Sequence, residues 1–367
     1  MNAYMELLTQ AQIERIHAGT LDILETVGLD FFHEPALEVL AKGGAKVDGQ
    51  RVFFPPKLVE ERVAMAPSTF PLFARNSAHD LTFGGDRAIF APANCPAFVD
   101  DEENGRRYGT MEDFDNLVKL THESVHLDMC SNVPVEPGDI DIPLRPALMT
   151  VSCLKHTDKC FMGSSLGGDA ARQVLDLLNM VFGDLDGPDP RPRTISIPCS
   201  LTPLAFDERM LEAMMVYAGA GQPQMINSLA IAGSTSPITL PGTLVVQNAE
   251  ILAGIVLCQL IREGTPVVYA SGSSAMDMRT GSLRVGAPEL AMNSMSTAQL
   301  GRFYGIPSRG CGTLTDSVCI TEQAGYESMM NLLTAHSAGI NFILHAAGAL
   351  DTINCMSYEK FVLDDDL

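Results

Sequence analysis

Gln224-Met225-Ile226-Asn227, a helical stretch over Thr243–Arg262, and then Pro266-Val267-Val268-Tyr269 form a strand, a helix and a second strand. A tight turn cannot join parallel strands, so two short β-prone runs split by a helix read as parallel neighbours. The same rhythm extends both ways. Upstream lie Ala88–Ala91, His126–Cys130, Lys159–Met162 and Thr194–Ile197; downstream lie Pro307–Gly310 and Ile340–Leu344. Helical stretches fill the gaps: Met111–Thr121, Pro146–Lys155, Asp169–Phe182, Glu208–Gly219, Ala287–Tyr304 and Gln323–Ser337. Many follow Asp, Ser, Thr or Pro and close near Gly, as helix ends require. Eight strands with seven helices between them predict an α/β fold, a (β/α)8 TIM barrel. An open doubly wound sheet is the competing architecture, and it is disfavoured because no dinucleotide fingerprint follows the first strand.

Residues 1–87 read differently, as a small N-terminal helical cap and hairpin. Apolar residues at helical spacing (Ile13, Ile16, Ile23, Leu24, Val27) end at Gly28. Pro35–Lys42 and Pro56–Met65 predict two more helices, and Phe70–Ala74 with Asp80–Phe83 predict a hairpin. The barrel is assigned to residues 88–367. A barrel normally follows its last strand with a covering helix, which Glu359–Leu367 only begins, so a truncated C-terminus is expected.

Lys and Arg number 24 against 45 Asp and Glu, a formal net charge of −21 that argues against nucleic-acid and anionic-membrane partners. Nine cysteines without paired spacing suit reduced thiols and a cytoplasmic location. No charged-then-apolar leader opens the chain, and the apolar stretch Ala249–Ile261 is too short to span a bilayer. Methionines clustered at Met210, Met214, Met215, Met292 and Met295 fit core filling first and a homo-oligomer second.

Barrel chemistry sits where strands end. The strand ends here carry Asn94 to Phe98, Asn132, Ser164-Ser165, Ser200 with Phe206, Asn227-Ser228, Ser271-Gly272-Ser273, Thr313 to Asp316, and His345. No lysine lies among them, which disfavours a Schiff base. A phosphate clamp is weak, since only Arg309 and the Gly163–Gly168 turn offer donors. His345 reads either as an orienting donor or acid/base, or as a satisfied polar residue of the wall. Two metal patterns are weighed and set aside. His122-Glu123-Ser124-Val125-His126 matches a zinc-protease motif but straddles a helix-to-strand junction. Cys153, His156 and Cys160 straddle a similar one and read as buried thiols.

Gly105-Arg106-Arg107-Tyr108-Gly109-Thr110-Met111-Glu112-Asp113-Phe114 resembles the segment after the first barrel strand in the trimethylamine methyltransferase family. Thr315-Asp316-Ser317 with Glu322-Gln323-Ala324-Gly325-Tyr326-Glu327 is similar to that family's seventh strand and helix, and the helix ending Leu24-Glu25-Thr26-Val27-Gly28 also fits. The resemblance implies a barrel enzyme that moves a methyl group from an amine to the cobalt of a corrinoid on a separate protein. No cofactor would be held tightly by the barrel itself. Founding members carry pyrrolysine. This sequence has only standard residues and so resembles the branch acting on glycine betaine and related quaternary amines. A quaternary ammonium leaves as a neutral amine and is held best by aromatic faces. On that expectation Phe98, Tyr108, Phe206 and Phe342 would cage the cation. Asn94, Asn227, Ser273 and His345 would take the carboxylate, and Asp316, Gln323 and His345 are the candidate catalytic residues. Two rivals stand: a zinc-dependent corrinoid methyltransferase with Cys311, Cys319 and His345 as ligands, and a non-catalytic betaine-binding barrel.

Overall fold

The computed structural model describes residues 4–187 and 190–367. It is a mixed α/β fold. Five parallel strands form one sheet in the spatial order Gln224–Ser228, Val267–Ser271, Ser308–Cys311, Phe342–Leu344, Ile89–Phe90. A parallel pair, Met129–Cys130 with Cys160–Phe161, adjoins Ile89–Phe90. There Asp128 N donates to Phe90 O at 2.9 Å, and the Asp128 carboxylate accepts from Phe90 N at 2.9 Å. Single parallel bridges, Met162 to Ile195 and Ser196 to Gln224, step onward to the five-stranded sheet. Thr194–Ile197 therefore pairs through bridges rather than as a full strand. Pro192 and Pro198 flank it, and neither has an N–H for a ladder.

The helices between these segments are Met111–Glu123, Arg145–His156, Gly168–Phe182, Glu208–Gly219, Leu240–Ile261, Pro288–Tyr304 and Glu322–Ser337. Local chemistry explains their starts. Thr110, for example, accepts from Asp113 N while the Asp113 carboxylate accepts from Thr110 N, a reciprocal capping box. Met111–Glu123 stops before Ser124, so His122 lies on the helix and His126 beyond it, and the His-Glu-x-x-His spacing is broken.

The N-terminal segment holds helices Gln10–Thr26, Glu34–Lys42 and Pro56–Val63 and the antiparallel pair Phe70–Leu72 with Leu81–Phe83. It also holds a small sheet that periodicity could not find, because its strands have three residues each: Leu29–Phe31, Lys46–Asp48 and Arg51–Phe53. Ala205–Phe206, from the connection after the fourth strand position, joins it in parallel. Leu240–Ile261 is the hinge of the packing. At 22 residues and mean hydropathy 1.8 it is long and apolar enough to cross a membrane, which corrects the expectation that its apolar stretch, Ala249–Ile261, is too short for that. However, 83% of that apolar window is buried, against the N-terminal helices on one side and the sheet on the other.

A separate core lies between the parallel strands and the N-terminal hairpin. The hairpin residues Phe70 and Phe83 pack there with Met129, Met162, Met225, Val268 and Phe342. At the C-terminal strand ends there are two further small sheets. One joins Phe98–Asp101, Gly105–Tyr108, Ala349–Leu350 and Cys355–Ser357; the other joins Ile231–Ala232, Ser274–Asp277 and Ser282–Arg284.

Candidate active site

Four of the expected residues meet the same small region at the strand ends. His345 follows Phe342–Leu344 in a left-handed backbone conformation (φ 60°). Its Nδ1 accepts from Asn94 N at 3.2 Å, so the ring proton sits on Nε2. Burial, with the positive charge of Arg309 adding to it, holds His345 well below the ordinary imidazole value. It is thus neutral at physiological pH, a donor through Nε2 rather than a cation. Asn94 is itself fixed, accepting from Val133 N at 2.9 Å through Oδ1. Asn227 Nδ2 donates to the Cys199 thiol at 3.3 Å. Ser273 accepts from Ala230 N at 2.9 Å and donates to Ser228 O at 3.3 Å, which ties two strand-end loops together.

Arg309 organises the group. Its residue is 2% exposed, and its Nη1 donates to Ser271 O at 2.8 Å and Asn227 Oδ1 at 3.3 Å. The buried Nε has no acceptor. None of the ion pairs among the described residues includes Arg309. A buried guanidinium with neutral neighbours is costly unless an anion joins it. Gly272 keeps the approach open: a Cβ there would sit 3.3 Å from Arg309 Nη1 and 2.7 Å from Leu229. In the sequence Arg309 reads only as a weak phosphate donor. The signal it carried was a cation inside an otherwise neutral strand, Ser308–Cys311.

Three thiols face the same charge. Cys95 is exposed as a residue, yet the protein packed around it displaces water and pushes its thiol up to about 12, with Cys199 and Glu136 adding to the rise and Arg309 opposing it. Burial likewise raises Cys199 and Cys311 against the pull of Arg309. All three are protonated at neutral pH, so none is a ready nucleophile. Cys319 is exposed, and Cys311, Cys319 and His345 do not bring donor atoms together as a zinc site requires. Among the described residues only His33, Glu208 and Glu212 converge in that way.

The remaining expected residues lie elsewhere. Phe206 is fully buried 5.4 Å from Phe31, paired with the N-terminal sheet, and cannot cage a ligand at the strand ends. Phe342 is fully buried 5.6 Å from Phe83 in the interior core. It precedes His345 by three residues, a rise of about 10 Å along a strand. Phe98 is half-buried in the first strand-end sheet, stacked on Tyr108 at 4.7 Å, with the Arg106 guanidinium 4.6 Å from its ring. Tyr108 is 69% exposed. Asp316 accepts from Val285 N at 2.9 Å and Thr352 Oγ1 at 3.1 Å, and Gln323 is exposed and donates to Glu327 at 2.9 Å. Glu327 in turn accepts from Thr315 Oγ1 at 2.6 Å and Asp316 N at 2.9 Å. Asp316 and Gln323 therefore belong to the network that pins the second strand-end sheet, not to the group around Arg309.

Comparison with known proteins places these features in context. Residues 1–367 match the family model described as trimethylamine methyltransferase (MTTB). The chain is 46% identical over 361 residues to the glycine betaine methyltransferase of Desulfitobacterium hafniense (strain Y51), covering 98% of this chain and 75% of that protein. It is 32% identical over 374 residues to the proline betaine:corrinoid methyltransferase of Eubacterium limosum, covering 99% and 76%. The solved monomethylamine methyltransferase (MtmB) of Methanosarcina barkeri superposes with a TM-score of 0.68 at 11% identity, over 99% of this chain and 73% of that one, a likeness of fold alone.

Proposed function

This chain belongs to the trimethylamine methyltransferase family, and on that premise we propose that it moves an N-methyl group from glycine betaine to the cobalt(I) of a corrinoid carried by a separate protein. One observation carries the choice of a betaine over a bare amine: Arg309 is buried at the strand ends without a carboxylate partner. A trimethylammonium ion alone would meet like charge there. A betaine brings its own anion to Arg309, with Nε2–H of His345 and the amide of Asn227 close at hand as neutral donors.

The corrinoid supplies a strong nucleophile. The work of this chain is then to bind and aim. Arg309 anchors the carboxylate, and His345 stays neutral so that it donates without repelling the ammonium group. The carbon–nitrogen bond breaks toward a neutral amine, so no proton need be delivered to the leaving group. Holding the methyl in line and keeping water out accounts for the catalysis. The three protonated thiols add no competing charge beside the cation.

A closed (β/α)8 barrel is the architecture we read. Its support is the continuous chain of parallel pairings and bridges from Ile89–Phe90 through Cys160–Phe161 and Ile195 to Gln224–Ser228, completed by Asp128 N on Phe90 O. Nine unpaired cysteines support a reducing, cytoplasmic setting.

The test is direct. Protein incubated with cob(I)alamin and glycine betaine should form dimethylglycine as cob(I)alamin absorbance falls. Absence of turnover with glycine betaine, proline betaine and carnitine alike would overturn the proposal.

A further inference from the structure

A fully buried glutamate lies just outside the strand ends. Glu250 stands on Leu240–Ile261 and is 0% exposed. Its Oε2 accepts from Ser200 Oγ at 2.5 Å, Ser228 Oγ at 2.7 Å and Thr202 Oγ1 at 2.9 Å, and its Oε1 accepts from Leu204 N at 2.8 Å. All four donors are neutral. Side chains alternate along a strand, so the neighbours of those serines turn the other way. Cys199, beside Ser200, bridges in parallel to Asn227, beside Ser228, and Ser200 N donates to Asn227 O at 2.9 Å. Asn227 then holds both the Cys199 thiol and Arg309 Nη1.

The geometry has all three hydroxyls around Glu250 donating inward to its carboxylate, and two adjacent strand ends are locked in one register. An amide in the same place would present an N–H₂ and turn at least one hydroxyl away. We propose that Glu250 is a positioning residue: it clamps the Ser200 and Ser228 strand ends and, through Asn227, sets the Arg309 guanidinium where it meets a substrate carboxylate. The second half rests on the betaine reading above. The first half does not.

Glu250→Gln tests both halves, the first without any ligand. Iodoacetamide labelling followed by peptide mass spectrometry should find Cys199 alkylated at least about threefold faster than in the parent protein, with buried Cys258 as the reference. The KM for glycine betaine should rise about tenfold while kcat falls less than about threefold. Cys199 labelling within twofold of the parent overturns the clamp. Faster labelling with an unchanged KM overturns the link to Arg309. If the parent protein takes no betaine, the substrate reading fails, and the labelling still decides the clamp. Should Glu250→Gln not fold, Ser228→Ala removes one donor from the same carboxylate and is read by the same two measurements.

Discussion

Replacing Arg309 by Met is the sharpest test of the site, because it removes the charge and keeps a comparable length of side chain. The gain expected from pairing this guanidinium with a carboxylate is that of a charge-assisted hydrogen bond, about 1.5–3 kcal/mol net. That is roughly a 10- to 150-fold loss in kcat/KM for glycine betaine. The bare Coulomb attraction at about 4 Å and an effective dielectric of about 20 is about 4 kcal/mol, so the hydrogen-bond figure falls within what electrostatics allows. The fold should tolerate the change. Met loses the Nη1 bonds to Ser271 O and Asn227 Oδ1, but it also removes a buried charge whose Nε has no acceptor. These effects oppose one another, and the net change in stability should be within about 1 kcal/mol. The assay is the initial rate of demethylation with glycine betaine and with tetramethylammonium, which has no carboxylate. Betaine turnover should fall by the factor above while tetramethylammonium turnover changes less than threefold or rises. A folded Arg309→Met protein whose betaine kcat/KM stays within twofold of the parent would refute the reasoning.

His345→Gln should remove a pH dependence as well as a donor. The folded imidazole is held below its ordinary value, so the unfolded chain binds the extra proton first. Stability from this group is complete above about pH 6.5 and declines as pH falls below that value, and urea titrations from pH 5 to 7.5 should show a flatter acid limb in the variant. Asp113→Asn probes the first strand-end sheet. Burial alone would raise this carboxyl, but bonds from Arg107, Thr110 and Tyr358 outweigh it and hold it at about 2. Its contribution of about 2 kcal/mol is present above about pH 4 and lost as pH falls toward 2, so the substitution should lower unfolding free energy by that amount at neutral pH in denaturant melts. Phe206→Ala should cost about 3–5 kcal/mol of stability and leave the KM for glycine betaine unchanged wherever the protein remains folded. A KM shift in that variant would return Phe206 to the ligand pocket.

The regular elements were legible because each is written locally. Helical periodicity, capping residues such as Thr110 and the short apolar runs at Val267 and Ile343 lie within a few residues of what they specify. Even the family could be read, since its motifs are contiguous. The three-residue strands Leu29–Phe31 and Arg51–Phe53 were missed because so few residues carry no period. Glu250 left a usable sign, a lone charge amid the apolar run of Leu240–Ile261.

Sequence by itself determined the order of strands and helices, the strand ends that would carry the chemistry, and the kinship of the chain. Tertiary structure alone decided which of those strand-end side chains turn toward one another. Phe206 turns into the N-terminal core because its loop pairs with Leu29–Phe31. Phe342 is taken by a hairpin more than two hundred residues earlier in the chain. Arg309 gains its meaning from partners it finds at long range, Asn227 lying 82 residues away, and from the carboxylate it does not find. Whether a charge is paired depends on every element packed around it, and no local pattern of residues records that.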